Sequence, residues 1–177
     1  MTSSTATIVI AVVVVLLIIV GAVALARRNR SKSLQDRFGP EYQRAVRESG
    51  GSRSEAEREL ARRQDRVKRM HIEELPPGAK TRYAEEWRTV QTRFVDEPQA
   101  ALVNADRLIS NVMRDRGYKV DNYDQTVADL SPDHPNVLQN FRVAHTITER
   151  SETGEASTED LRQAMVHYRS LFDDLVK

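Results

Sequence analysis

Hydrophobic residues follow two different patterns along this chain. The first is unbroken. From Thr2 to Ala26 there is no charge, and Ile8 to Ala26 is almost wholly Val, Ile, Leu and Ala. At 1.5 Å rise per residue, those 19 residues span close to the roughly 30 Å interior of a bilayer, which predicts a transmembrane helix over 1–26. The second pattern is periodic and fills the rest of the chain. Leu34, Phe38, Tyr42 and Val46 recur at i, i+4, interrupted by Gly39-Pro40 and ended by Gly50-Gly51. Ser52 with Glu55 reads as a capping box opening a charged helix that runs to about Ile72, where Pro76-Pro77-Gly78 breaks it.

Further on, Tyr83, Ala84, Trp87, Val90 and Phe94 stripe a helix near 79–95, and Leu102, Ala105, Leu108, Ile109, Val112 and Met113 stripe another near 99–116, with Gly117 as its stop. A short helix near 124–130 follows, and Asp133 and Pro135 read as the start of the next, with Asp133 as its cap. That helix carries Val137, Leu138, Phe141, Ala144, Ile147 and Thr148. The last, opened by Ser157 and Asp160, carries Leu161, Ala164, Met165, Tyr168, Leu171, Phe172 and Leu175. No stretch alternates with period two long enough to predict a strand. The expected fold is all-α: an N-terminal transmembrane helix at 1–26, a basic juxtamembrane linker at 27–37, and a helical domain at 38–177. Within that domain, basic membrane-proximal helices occupy 38–73 and the main bundle 79–177.

Charge orients this arrangement. Arg27, Arg28, Arg30 and Lys32 follow the apolar run directly, and no Lys or Arg precedes it. Basic residues stay on the cytoplasmic side, so the N-terminus is expected outside and the helical domain inside. A cleaved signal peptide is the alternative, with Ala22-Val23-Ala24 or Ala24-Leu25-Ala26 as its cleavage site. The missing basic n-region and the length of the run speak against it. Net charge is +1 overall, but residues 27–73 carry +6 and residues 74–177 carry −5. A basic proximal part suits an anionic leaflet, and an acidic distal part lacks the footprint that nucleic acid requires. Cysteine is absent, which excludes disulfides, zinc–thiolate sites and thiol nucleophiles.

Four segments carry a resemblance: Phe38-Gly39-Pro40-Glu41-Tyr42, the run from Trp87 through Val90, Gln91 and Phe94 to Asp96, the run from Ala128 to Pro135, and Asp160 to Arg169. Together they resemble a group of small membrane-anchored helical proteins of high-GC Gram-positive bacteria. The resemblance implies the architecture and carries no catalytic or binding residue across.

The candidate site residues are Arg27, Arg28, Arg30 and Lys32, expected to set topology and to meet anionic lipid headgroups. The helix from Arg53 holds Arg58, Arg62, Arg63, Arg66, Lys68 and Arg69 and reads as a solvated face laced by pairs such as Glu59–Arg63, the alternative being a helix that lies on the membrane surface or pairs with a partner helix. Of His71, His134, His145 and His167, only His145 stands at ligand spacing from an acid, Glu149, which is too little for a metal site. Asp121, Asp124, Asp129 and Asp133 lack the spacing and central Gly of a calcium loop. Nucleotide fingerprints are missing from the sequence. Tyr83, Trp87 and Phe94 are read as core. No cofactor or metal is expected, and no enzymatic activity. The expected partners are the lipid bilayer and an unidentified protein, for a domain used in interaction or scaffolding. The rival readings are an exported helical domain and an enzyme whose site is assembled without a local motif.

Overall fold

The computed structural model describes residues 2–177, with side chains described from residue 13 onward. Among the described residues the chain is all-α, built from eight helices: α1 (Thr2–Phe38), α2 (Pro40–Glu48), α3 (Arg53–Lys68), α4 (Pro77–Arg93), α5 (Pro98–Asp115), α6 (Tyr123–Leu130), α7 (Leu138–Glu152) and α8 (Thr158–Val176).

Two apolar cores organise them. The larger joins the predicted stripes of α4, α5, α7 and α8, with Val127 and Leu130 from α6. In it α8 packs on both α5 and α7, and α4 packs on α5. Trp87 is 5% exposed and stacks on Phe172 with ring centroids 4.8 Å apart. The smaller core contains Leu34, Phe38, Tyr42, Ala45, Ala56 and Leu60, drawn from α1, α2 and α3.

The stretch expected as a linker, 27–37, is not a linker. It is helical throughout, and Leu34 within it is already buried in the smaller core, so α1 enters the folded domain without a break. Gly39 alone separates α1 from α2. Its φ of 46° turns the chain, and Pro40 then opens α2, where its missing N–H costs nothing. Pro77 and Pro98 do the same for α4 and α5, so Pro77, read as a breaker, is in fact the first residue of a helix.

Other boundaries also differ from expectation. α3 stops at Lys68, four residues early, because 71–75 leaves the helix to run beside the α5–α6 turn. There Glu73 N–H donates to Arg116 O, and Leu75 joins the larger core. Gly117 stops α5 with φ 98°, and Tyr118 N–H closes on Met113 O. A Cβ at Gly117 would sit 2.2 Å from His71 O, so both its conformation and the close passage of 71–75 require glycine. The Ser52 cap is only half a box: its hydroxyl accepts from Glu55 N–H and nothing is returned. Ser157 and Asp160 form the full reciprocal box. Asp133 caps nothing. The chain turns through 131–137, and α7 begins at Leu138 with no side-chain cap.

The expected anchor is only partly visible. Residues 13–26 are apolar and helical, about 21 Å long at 1.5 Å per residue, against the roughly 30 Å of a bilayer interior. Among the described residues, no helix is long and apolar enough to cross a membrane. The side chains of 1–12, which carry the rest of the expected anchor, lie outside the described residues.

Candidate functional site

α1, α2 and α3 form a small up-and-down unit, and its geometry places the basic residues. Nine-residue α2 runs back along α1, and the turn through Gly50 and Gly51, both at positive φ, sends α3 forward again beside α1. Glu57 of α3 pins the three helices together. One of its oxygens accepts from Ser31 Oγ at 2.6 Å and from Tyr42 OH at 2.8 Å. The first turns of α3 therefore lie level with Arg27 and Arg30. These two arginines, with Ser54, Glu57 and Arg58, line a cleft of about 340 Å³.

Of the four residues singled out from the sequence, Arg27 and Arg30 meet at this cleft. Arg28 and Lys32, one turn apart on α1, are exposed and lie outside its lining. Sequence reasoning placed Arg58 on a solvated helix face and did not single out Ser54. The available signal was the basic composition of α3, which did not reveal the face that turns toward α1.

The remaining proximal arginines have a different fate. Arg37 reaches Asp133 at 2.9 Å, and Arg66 reaches the buried Asp129 at 2.6 Å, where Gln125 also donates. Arg142 of α7 returns the gesture, gripping the buried Glu41 of α2 with two bonds of 2.6 Å. Three clasps thus hold the small unit on the main bundle, and part of the charge asymmetry between the two halves is spent within the molecule. Asp129 and Asp133, weighed as calcium ligands from the sequence, serve here as partners for arginine. Among the described residues, of the Lys and Arg in 27–73, Arg27, Arg28, Arg30, Lys32, Arg47, Arg53, Arg58 and Arg69 form no ion pair; all but Arg69, at the end of α3, lie on α1 before Leu34 or around the α2–α3 turn.

The histidines are dispersed. His134 Nδ1 lies 2.6 Å from Asp174 Oδ2, tying the 131–137 turn to α8. Burial works against the ionised Asp174, but hydrogen bonds from His134 and Lys177 outweigh it and hold its carboxyl below the usual range. His145 Nδ1 lies 3.3 Å from Asp106, which also accepts from Tyr168 OH at 2.8 Å, and the His145 ring stacks on Tyr123 at 4.0 Å. Burial disfavours the charged His145 ring, yet the hydrogen bond and charge of Asp106, with Glu149 and Glu152, raise its pKa above the ordinary value. Burial chiefly pushes the Tyr123 hydroxyl up to about 12. His71 is exposed and lines a separate cleft with Arg66, Arg69 and Lys119, and His167 is half-buried on α8. Among the described residues, no three His, Asp or Glu side chains gather as metal ligands. In comparisons with known proteins, no family model, curated protein or solved structure matches the chain.

Proposed function

We propose that this protein is a single-pass membrane protein. Residues 1–26 anchor it with the N-terminus outside, and the helical domain stands at the cytoplasmic face as a protein-interaction or scaffold module. The observation that carries the reading is the exposed stretch of α1. Ten large apolar side chains between Val13 and Leu25 keep 46–65% of their surface, and within the described residues no other element covers them. Left in water, each forgoes about 1 kcal/mol of burial. Their sum, about 10 kcal/mol, rivals the whole net stability of an ordinary domain. Lipid removes that cost, and the four cations that follow set the orientation. The domain beyond is fully packed around its own cores, so it needs only a surface to act as a binding partner.

The absence of native cysteine makes the test clean. In intact cells, Ser3→Cys should react with an impermeant thiol reagent. Glu155→Cys, exposed between α7 and α8, should react only after permeabilisation. External labelling of Glu155→Cys would indicate an exported domain and overturn the orientation. Release of the chain by alkaline carbonate would overturn the anchor itself.

A further inference from the structure

We propose that the cleft between α1 and α3 is a binding site for the phosphate of an anionic phospholipid headgroup, with Arg27, Arg30 and Arg58 as its donors. This rests on the membrane-anchored reading and gives that reading a defined lipid contact.

Depth is the first argument. Ala26 is the last residue of the apolar run, and Arg27 and Arg30 stand roughly 1.5 and 6 Å beyond it along the helix. The headgroup layer of one leaflet is about 5–7 Å thick, so both guanidinium groups fall within or beside it. Ser54, in the first turn of α3, shares the cleft with Arg27 and Arg30, so the Gly50-Gly51 turn just before it lies at the same end of the unit. The α2–α3 hairpin therefore presents its tip, with Arg47 and Arg53, to the same layer.

Chemistry is the second argument. The other proximal arginines of α1 and α3 that approach an acid take it: Arg37 has Asp133, Arg62 and Arg63 share Glu59, and Arg66 has Asp129. Arg27, Arg30 and Arg58 converge on one cleft and pair with no carboxylate. The only acid in the lining is Glu57, and one of its oxygens is already committed to Ser31 and Tyr42. The cleft thus keeps an excess of positive charge. A guanidinium fork suits phosphate oxygens, and the Ser54 hydroxyl in the lining adds a neutral donor. A volume of about 340 Å³ is ample for a phosphate with its glycerol. Inorganic phosphate shares this chemistry, but the position at the foot of the apolar helix favours a headgroup.

The test uses the full chain, purified in detergent. Flotation with phosphatidylcholine vesicles reads the anchor. Retention of phosphatidylglycerol from mixed micelles, followed by native mass spectrometry, reads the cleft. Wild type should retain one phosphatidylglycerol in preference to phosphatidylcholine. Arg58→Gln, an exposed change on α3 and not in the apolar run, should float unchanged yet weaken retention by about fivefold, what one surface cation contributes. Arg58→Lys should recover part of the loss. Arg47→Gln, on the same hairpin but outside the cleft, should have a smaller effect. The cleft is refuted if Arg58→Gln retains lipid like wild type, or if Arg47→Gln loses as much, since the attraction would then be diffuse. The lipid source is refuted if inorganic phosphate binds with the same dependence on Arg58 while phosphatidylglycerol is not retained. A chain that does not float sinks the anchor and this site together. One that floats with indifferent retention sinks the site alone.

Discussion

Removing the Glu41 carboxylate tests whether the small helical unit is locked to the bundle. Glu41 is 4% exposed and meets both terminal nitrogens of Arg142 at 2.6 Å. In Glu41→Ala the Arg142 guanidinium, with only 14% of its side chain exposed, loses the carboxylate it grips. Breaking a buried pair on one side costs roughly 3–5 kcal/mol; the remaining access of Arg142 to water sets the estimate near 3. For a domain of this size, each kcal/mol lowers the melting temperature by roughly 2–4 °C, so a loss of about 6–12 °C is expected. The assay is circular dichroism at 222 nm on the full chain in detergent, at 0.1 and 1 M NaCl. A buried pair should show the same loss in both, because salt screens exposed charges far more than sheltered ones. The double variant Glu41→Leu with Arg142→Leu should recover most of the loss, since a buried pair is replaceable by apolar groups of similar volume. A Glu41→Ala melting point within about 2 °C of wild type, or a loss that vanishes in high salt, would refute the argument.

Two further outcomes follow from the packing. Trp87→Ala should cost about 3–5 kcal/mol, read as a lower melting temperature, because it empties a stacked position against Phe172; Trp87→Phe should cost less, since Nε1 makes no hydrogen bond that would be lost. His145 should make stability depend on pH. Its folded pKa is raised above 6.5, so the contribution of the Asp106 pair is fully present below about pH 6.5 and is lost as pH rises through the folded value. The melting difference between wild type and His145→Gln should therefore be larger at pH 6 than at pH 9, and a difference that ignores pH would show that Asp106 does not hold the charged ring.

Much of the fold is legible because helical periodicity is a local signal. The stripes of α4, α5 and α8 need only residues three and four apart, and the Ser157–Asp160 box is complete within one turn. The interactions that were not legible join residues far apart in the chain. Arg37 and Asp133 are separated by 96 positions, Arg66 and Asp129 by 63, and Glu41 and Arg142 by 101. Locally, each looks like one more charge on a polar face. Asp133 shows the consequence: beside Pro135 it has the look of a helix cap, but its partner lies on a helix nearly a hundred residues earlier. The end of α3 was misplaced for a related reason. Nothing in 69–72 forbids helix, and the chain departs there because the α5–α6 turn offers Glu73 a hydrogen bond and the larger core takes Leu75. For the candidate site, the basic cluster after the apolar run was plain. The contribution of Arg58 became visible only once α2 had doubled back and set α3 beside α1.

The unbroken course of α1 has a mechanical consequence. A flexible tether would let a domain tumble freely beneath its anchor. Here the same helix that holds Val13 to Leu25 also buries Leu34 and Phe38, and the three clasps brace the unit it belongs to against the bundle. On the anchored reading, the helix is a strut without a hinge. Membrane helices tilt by about 20° on average and adjust that angle to bilayer thickness. Any such change would be passed undamped to α4–α8, so that the thickness of the membrane sets the direction in which the bundle points.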